Sequence, residues 1–388
     1  MEAILKPLPH PCGWLHLDAL DANITFVQSQ CGDKAIRIAT KSIRSVDALR
    51  YIQQRLPQCS GFMTFTAAET LYLATQGLND FLIGYPVMEE EAIRQLVRMQ
   101  PAVRVTFMVD NEAQMALLHR VATSIGTSVA ICIDINVSTD FNWLYFGTRR
   151  SPLHTIESVQ QLLQHASNYP SLRIEGVMAY DAQIAGVADR GQMWMQQAKG
   201  KLVTRLKMKA LPRITAWRQQ AVAHIRHEAN VRFVNAGGSG SMAYCATQRD
   251  VTEITVGSAF FAPTLFDQYA ALHLQPAAGF SLRVTRKFAE DIAVLQGGGY
   301  IASGAIGAEK QPQFVRANDY AFFAMEGAGE VQTPIAIKKG TLAVGENVLL
   351  RHAKAGELCE RFNELHTVRG HELVGTFQTY RGDGQCFL

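Results

Sequence analysis

The sequence predicts an α/β protein that consists of a (β/α)8 barrel and a second, mostly β domain. Eight short apolar runs are each followed by a turn and a helical pattern. Nearly continuous apolar runs are typical of parallel strands that are buried on both faces, and eight strand–helix units in succession predict a closed TIM-like barrel. The predicted strands are residues 35–40, 61–66, 80–84, 103–108, 129–134, 172–178, 231–235 and 253–257.

Helical patterns fill the gaps between these predicted strands. Residues 67–74 and 158–163 are examples of such patterns. After Tyr269 the helical periodicity fades, and short alternating runs between glycines and prolines predict β structure. The clearest of these runs are residues 281–285, 321–324 and 347–350.

The length of 388 residues favours two domains over one. We predict a barrel over residues 13–268 and a β-rich C-terminal domain over residues 269–388, to which residues 1–12 could also belong. The run Trp14–Leu17 is a candidate for an additional strand of the β-rich domain.

Composition narrows the functional class. Hydrophobic residues make up 48% of the chain and charged residues 18%, which favours a well-buried enzyme over a disordered protein. The net charge of only +3 and the absence of a sequence motif typical of nucleic-acid-binding domains argue against nucleic-acid binding. With no apolar run long enough for a membrane span or a signal peptide, we expect a cytoplasmic protein. The seven cysteines have no paired spacing, so a disulfide framework is not expected.

Lys41 is the first candidate for chemistry. It directly follows the first predicted strand and precedes a helical pattern, so it is expected at the carboxyl end of the barrel, where barrel enzymes keep their active sites. A lysine there can form a Schiff base with an aldehyde cofactor. Taken alone, a solvated loop lysine would be the more common explanation.

The glycine-rich segment Asn235–Ser241 is the second candidate. It follows the seventh predicted strand, and its glycines allow several backbone N–H groups to face one point, while Ser239 adds a hydroxyl. Barrel enzymes commonly bind phosphate after strands seven and eight, and Gly257 and Ser258 form the turn after strand eight. A tight turn without a ligand is the alternative. The predicted phosphate contacts are Asn235, Gly237, Gly238, Ser239, Gly240, Gly257 and Ser258.

A Schiff-base lysine and a phosphate loop in one barrel together describe a site for pyridoxal 5′-phosphate. The chain resembles fold-type III pyridoxal-phosphate enzymes of the alanine racemase type, and among them the D-threonine aldolase and D-serine dehydratase branch. The resemblance spans the chain, and its motifs fall in order. They are the opening helix 17–24, the lysine motif 37–44 with arginine four residues before Lys41, the sixth-strand motif 178–183 and the glycine-rich segment 235–241, which resembles the branch's phosphate-binding motif.

The resemblance implies a lyase that acts on D-β-hydroxy amino acids through an external aldimine, by dehydration and deamination or by retro-aldol cleavage. It assigns Lys41 as the aldimine lysine and base, and Tyr180 to the cofactor's surroundings. The chain departs from the family where an arginine contacts the cofactor, since the only arginines between the fifth and sixth predicted strands are Arg149 and Arg150. We take Arg149 as the group that faces the pyridine nitrogen. The resemblance also implies a homodimer and a small-molecule amino-acid substrate. The alternatives are an amino-acid racemase, whose second base would be Tyr300, Tyr320 or Tyr380, and a noncatalytic pyridoxal-phosphate carrier.

A divalent metal remains open at this point. Metal-dependent members of the branch bind the ion through a histidine and a cysteine or aspartate two residues later. Here the corresponding stretch has His352 but places Lys354 at the second ligand position, and an ammonium cannot ligate a metal. Either the ligand comes from a shifted position, or Lys354 itself contacts the substrate. The candidates for a shifted ligand are Glu357, Cys359 and His366.

The basic segment 188–229 departs from the barrel pattern. It carries nine lysines and arginines with few acids, and Pro212 is expected to break or kink its helical pattern. The segment could be a lid that attracts a dicarboxylate, but a solvated basic helix pair is the more common situation.

Overall fold

The structure, a computed structural model, describes residues 1–189, 194–305 and 307–388, with the side chains of residues 194–199 outside the description. Its strands are β1 (Cys12–His16), β2 (Ala35–Ala39), β3 (Cys59–Thr64), β4 (Phe81–Ile83), β5 (Val105–Val109), β6 (Val129–Asp134), β7 (Thr139–Asp140), β8 (Tyr145–Phe146), β9 (Leu172–Ala179), β10 (Phe233–Ala236), β11 (Glu253–Val256), β12 (Ala278–Ala289), β13 (Ile292–Gln296), β14 (Gln313–Phe314), β15 (Tyr320–Phe322), β16 (Gln332–Ile337), β17 (Asn347–Arg351), β18 (Glu364–Arg369) and β19 (Glu372–Gln378). Its α-helices are α1 (Glu2–Leu5), α2 (Leu17–Cys31), α3 (Val46–Arg55), α4 (Ala67–Thr75), α5 (Glu90–Arg98), α6 (Glu112–Ile125), α7 (Ile156–Ala166), α8 (Ala182–Ala185), α9 (Trp194–Glu228), α10 (Met242–Ala246) and α11 (Ser258–Phe261).

The predicted barrel is confirmed. Strands β10, β11, β2, β3, β4, β5, β6 and β9 close a barrel in that order, and each neighbouring pair is parallel. Every predicted barrel strand overlaps an observed one, because a run of buried β-branched and aromatic residues marks a parallel strand strongly. The predicted helices 67–74 and 158–163 correspond to α4 and α7.

The barrel interior is layered, because alternate residues of each strand point inwards. Polar side chains of β2, β10 and β11 occupy the amino end, and the carboxyl end carries the candidate site described below. The barrel interior also holds an apolar cluster. Its members are Met63, Leu82, Met108, Cys132, Met178 and Phe233.

Helix α9 corrects the expectation that Pro212 breaks the basic segment. The helix continues through Pro212 because side chains on both sides of the proline, such as Ala210 and Ile214, are buried and fix the helix by tertiary packing. Two of the basic residues, Lys207 and Arg218, are ion-paired with acids. Residues 190–193 and the side chain of Lys199, which belong to this predicted segment, lie outside the described residues.

The mostly β second domain is confirmed as a nine-stranded sheet. Its main path is β15, β16, β13, β12, β1, β18 and β19, with β17 paired to β12 and β14 paired to β17. The candidate strand at Trp14–Leu17 is confirmed as β1, which pairs antiparallel with β12 and parallel with β18.

By compactness the chain forms two units that are assembled from several chain segments. One contains Met1–Phe26, Ser42–Arg55 and Ser258–Cys386, and the other contains Val27–Lys41, Leu56–Gly257 and Phe387–Leu388. The division at residues 268 and 269 stays a prediction. Across the described ranges, none of the helices has both the length and the apolar character needed to cross a membrane.

Candidate active site

Lys41 lies at the carboxyl end of β2, in a short 3-10 turn, Thr40–Ser42. The Thr40 hydroxyl donates to the Met63 carbonyl at 3.0 Å and fixes this turn to the neighbouring strand. The exposed Lys41 ammonium donates to the Tyr85 hydroxyl oxygen at 3.1 Å. Lys41 is thus held beside an aromatic hydroxyl, which the solvated-loop alternative does not require.

Tyr85 is a site residue that the sequence analysis missed. It follows β4 after a single glycine, so it lies at the same end of the barrel as Lys41. The Arg150 guanidinium carbon lies 6.0 Å from the centre of the Tyr85 ring. A polar residue immediately after a barrel strand was the available signal for Tyr85.

Two acids extend this group of side chains along neighbouring strands. Asp134 is the last residue of β6, and Asp110 directly follows β5. Burial, with a smaller contribution from the negative charge of Asp110, raises the pKa of Asp134 to about 7, although Arg150 opposes the shift. Asp134 is therefore near the midpoint of its titration at neutral pH.

The structure separates the two arginines that follow β6. The Arg149 guanidinium carbon lies 4.5 Å from the centre of the Tyr145 ring, on the hairpin formed by β7 and β8. The charge of Arg150, by contrast, acts on both Asp134 and Tyr180. Arg150, which the sequence analysis did not choose, is the arginine associated with the acids and tyrosines at the barrel's carboxyl end.

Tyr180 directly follows β9 and is half-buried. Burial, with a contribution from the adjacent Asp181, raises the pKa of Tyr180 to about 12. A Cβ atom added to Gly238 would lie 3.4 Å from the Tyr180 ring, so the ring packs on the glycine-rich segment. The structure thus brings together two features that the sequence analysis predicted separately.

The glycine-rich segment, which we call the phosphate loop (residues 237–241), turns sharply after β10. Gly237 has a φ of +80°, which favours glycine. The Gly238 N–H donates to the Ser241 hydroxyl at 3.1 Å, and the Ser241 N–H donates to the Gly238 carbonyl at 3.0 Å. Ser239 is buried and Gly240 is half-buried within the same turn. The loop is therefore a preformed tight turn.

Asn235 lies inside the barrel, one layer below the loop. Its carboxamide donates to the Glu253 carboxylate and to the Thr255 hydroxyl, both at 2.8 Å. The side chain is thus engaged with β11, and the structure does not bring it to the phosphate loop.

Gly257 follows β11 and belongs to the same compact unit as the barrel strands. Ser258 begins α11 and belongs to the other unit, where its hydroxyl lies 3.2 Å from the Ser42 hydroxyl. The turn after strand eight therefore continues into the unit that also contains Ser42.

The predicted metal position lies in the other compact unit, at the end of β17. His352 is buried, and within the described parts of the chain neither ring nitrogen has a hydrogen-bond partner. Burial, assisted by the Arg351 charge, lowers the pKa of His352 to about 3.

The residues after His352 do not complete a metal site. Lys354 donates to the Ser303 hydroxyl at 2.6 Å and pairs with the Glu357 carboxylate at 3.2 Å. Cys359 is buried, which raises the pKa of its thiol to about 12, and His366 lies 3.6 Å from the Glu364 carboxylate. In residues 1–189, 194–305 and 307–388, no group of three or more histidines, cysteines and acids is arranged to hold a metal ion.

The three tyrosines considered for a racemase are packed within their own unit. Tyr300 makes edge contacts with Phe280 and Phe362, and Tyr320 packs on Phe314. Tyr380 is fully buried.

The family model for the alanine racemase N-terminal domain matches residues 15–263, whereas no curated protein sequence matches. D-threonine aldolase from Filomicrobium marinum is similar over 99% of this chain and 97% of its own, with 18% identity and a TM-score of 0.81. D-threo-3-hydroxyaspartate dehydratase from Delftia sp. HT23 is similar over 97% of this chain and 98% of its own, with 16% identity and a TM-score of 0.77.

A third similar structure is alanine racemase from Clostridium difficile 630 in complex with cycloserine. It covers 94% of this chain and 97% of its own, with 15% identity and a TM-score of 0.66. At these identities the structural comparisons establish the fold, while the family model covers more than half of the sequence. The chain belongs to the alanine racemase N-terminal domain family.

Proposed function

We propose that the chain is a pyridoxal-phosphate-dependent lyase that acts on a D-β-hydroxy amino acid, by dehydration and deamination or by aldol cleavage. The observation that carries the proposal is the position of Lys41. Its ammonium is hydrogen-bonded to the Tyr85 hydroxyl at the same end of the barrel as the phosphate loop. The aldolase and dehydratase folds found by comparison support this branch over others.

The described residues fit the cofactor. An aldehyde requires a primary amine, which Lys41 offers, and a phosphate requires N–H and hydroxyl donors at a turn without Cβ atoms, which the phosphate loop offers. The Tyr180 ring closes one side of that loop at Gly238. We assign Lys41 to the aldehyde, and Tyr180 and Arg150 to the surroundings. The phosphate is assigned to the backbone at Gly237, Ser239 and Gly240 and to the Ser239 hydroxyl, because the Gly238 N–H already donates to Ser241.

When bound, pyridoxal phosphate supplies an electron sink for negative charge at the substrate's Cα. The Lys41 amine then takes the proton from Cα in a dehydration, and Tyr85 holds that amine in place. Because the raised pKa of Tyr180 keeps its phenol protonated at neutral pH, Tyr180 donates a hydrogen bond rather than acting as a base. Asp134, whose pKa is about 7, is the acid that can exchange a proton with the substrate's β-oxygen at neutral pH.

A substrate panel tests the proposal. The purified protein is incubated with D-threonine, D-serine and D-threo-3-hydroxyaspartate, with the L-enantiomers as matched controls. Glycine plus an aldehyde identifies an aldolase, and a 2-oxo acid plus ammonia identifies a dehydratase. Loss of optical activity without either product would identify a racemase and contradict the lyase. Bound cofactor without turnover would indicate a noncatalytic carrier.

We further propose that catalysis requires no divalent metal. The reason is the residue set: an ammonium two residues after His352 is held by Ser303 and Glu357. We expect activity to survive dialysis against a chelator and elemental analysis to find much less than one metal ion per chain. Stoichiometric metal whose removal abolishes activity would contradict this expectation.

The proposal includes a cytoplasmic homodimer. All seven cysteines are free thiols, which fits a reducing compartment. Analytical ultracentrifugation would measure a mass of twice 42.8 kDa for the dimer.

A further inference from the structure

Asp181 is a buried acid directly beneath the phosphate loop, and the mechanism above does not use it. The residue follows Tyr180 and has no exposed surface. One carboxylate oxygen, Oδ1, accepts a hydrogen bond from the Ser241 hydroxyl at 2.9 Å. The other, Oδ2, lies 3.7 Å from the Cys245 thiol, which donates to it. Both oxygens are therefore directed at residues of the loop and of α10.

These two contacts hold Gly237 and Gly238, two of the three glycines of the phosphate loop. The Ser241 hydroxyl, fixed by Asp181, accepts the Gly238 N–H. The Cys245 sulfur, on the other side of Asp181, packs against Gly237 so closely that an added Cβ atom would lie 2.9 Å from it. The shape of the phosphate loop at Gly237 and Gly238 thus depends on one carboxyl group.

The charge of Asp181 is only weakly compensated. The Arg218 guanidinium of α9 is the positive group that acts on it, but Arg218 is paired with Asp250 at 2.7 Å. Tyr180 and Cys245 stay neutral at neutral pH, because burial raises the pKa of both. Burial also raises the pKa of Asp181 to about 7, against the opposing effects of the Ser241 hydrogen bond and Arg218.

We infer that Asp181 is a positioning residue of the phosphate loop, which shapes the loop through Ser241 and Cys245 and whose negative charge opposes a bound phosphate dianion. The inference rests on the proposed binding of pyridoxal phosphate. Two negative charges close together in a poorly solvated region disfavour each other, so the loop binds the phosphate more tightly when Asp181 is protonated. Cofactor affinity therefore falls as the pH rises through about 7.

The test compares the wild-type protein with Asp181→Asn, which keeps the shape and hydrogen-bonding capacity of the side chain but removes the charge. The dissociation constant of pyridoxal phosphate is measured by equilibrium dialysis of the apo-protein between pH 6 and pH 8.5. The ratio of the wild-type to the variant constant cancels any pH dependence that the two proteins share. We expect a ratio near one at pH 6 and about ten at pH 8.5, which corresponds to a shift of about one pKa unit on binding.

Two further variants separate shape from charge. Asp181→Ala removes both contacts, so it should bind the cofactor more weakly than Asp181→Asn at every pH. Asp33→Asn removes an equal charge from the exposed turn before β2, at the opposite end of the barrel, and its ratio should stay near one throughout.

The outcomes distinguish this inference from the proposed function. A wild-type protein that binds no pyridoxal phosphate refutes the proposed function. A protein that binds it with a ratio near one at pH 8.5 leaves the function intact and overturns the role of Asp181. If Asp181→Asn does not fold, sulfate, which stays a dianion over this range, is titrated into Asp134→Asn apo-protein. Stabilisation by sulfate that weakens from pH 6 to pH 8.5 supports the inference, and constant stabilisation overturns it.

Discussion

The two ends of the barrel interior contain similar side chains in opposite situations. At the amino end, the buried Arg37 guanidinium pairs with the Glu253 carboxylate at 2.7 Å and the Asp80 carboxylate at 3.0 Å. The Ser60 hydroxyl and the Asn235 amide also donate to Glu253. Although burial raises the pKa of Glu253, Arg37 more than offsets it and the net shift is downwards. Every charge at this end has a partner.

At the carboxyl end the acids are not matched in this way. Asp134 and Asp181 both have a pKa raised to about 7 because they are buried, and Tyr180 has a pKa of about 12. Arg150, the cation that acts on Asp134 and Tyr180, is exposed. Here the protein holds the two acids close to their titration points and keeps the Tyr180 phenol protonated.

This difference in charge pairing indicates which end of the barrel is suited to catalysis. A fully paired buried cluster is costly to break and fixes the structure, but its protons do not move near neutral pH. Groups whose pKa values are shifted towards neutrality, in contrast, are characteristic of functional sites. The amino end therefore stabilises the barrel, and the carboxyl end is where we propose catalysis.

The largest expected effect comes from removing the amine at the carboxyl end. Lys41→Ala should lower turnover by about a thousandfold or more, because the base is lost, and should abolish the visible absorbance of the bound cofactor. The exposed side chain contributes little to stability, so the melting temperature should hardly change. Lys34→Ala is the matched control, since Lys34 precedes β2 at the amino end and donates to the Gln248 carbonyl. Equal losses in both variants would contradict the assignment.

The next largest effect is a loss of stability at the amino end. Arg37→Met leaves the buried carboxylate of Glu253 without its cation, so we expect the free energy of unfolding to fall by about 3–5 kcal/mol. Urea denaturation of the apo-protein measures it. The double variant Arg37→Met/Glu253→Leu should recover part of the loss, because the unpaired buried charge of Glu253 is removed. A loss below about 1 kcal/mol in Arg37→Met would remove the distinction between the two ends.

The sequence was sufficient for the features that depend on local patterns. Each of the eight barrel strands contains buried apolar residues. Lys41 follows β2 after one residue, and the phosphate loop directly follows β10. Local patterns mark such positions because the carboxyl ends of barrel strands converge. The arginine four residues before Lys41 also belonged to a recognised motif, yet its partner Glu253 lies 216 residues away.

Long-range contacts could not be predicted from the sequence, because a local pattern does not indicate its distant partner. The contact of Asp181 with Ser241 joins residues 60 apart, and nothing in either segment indicates the other. Arg149 and Arg150 are adjacent and chemically identical, so only the folded hairpin of β7 and β8 separates their surroundings. Pro212 does not break α9, because tertiary packing of the helix outweighs the local cost of proline.

A smaller effect should distinguish the acids of the two ends through pH. The pKa of Asp134 is raised in the folded protein, so its stabilising contribution is complete below the unfolded pKa of about 4 and is lost as the pH rises through 7. Asp134→Asn should therefore reduce the fall in unfolding free energy between pH 5 and pH 8 by about 2 kcal/mol. Glu253→Gln should not alter the slope in this window, because the lowered pKa of Glu253 places its titration at more acid pH. Parallel slopes for wild type and Asp134→Asn would show that Asp134 is already ionised at pH 5.

The smallest predicted effect concerns the two arginines after β6. Arg150 lowers the pKa of both Asp134 and Tyr180, so Arg150→Gln should raise the pKa of Asp134 by about one unit. Carbon-13 NMR of the aspartate carboxyl groups, assigned with Asp134→Asn, measures this shift directly. Arg149→Gln is the matched control, because Arg149 stacks on Tyr145 and should leave the Asp134 resonance unchanged. If Arg149→Gln produced the larger shift, Arg149 would be the cation of the carboxyl end. Because a fully paired cluster could not be shifted so far by one exposed neighbour, the size of the change also measures how incompletely the carboxyl end is compensated.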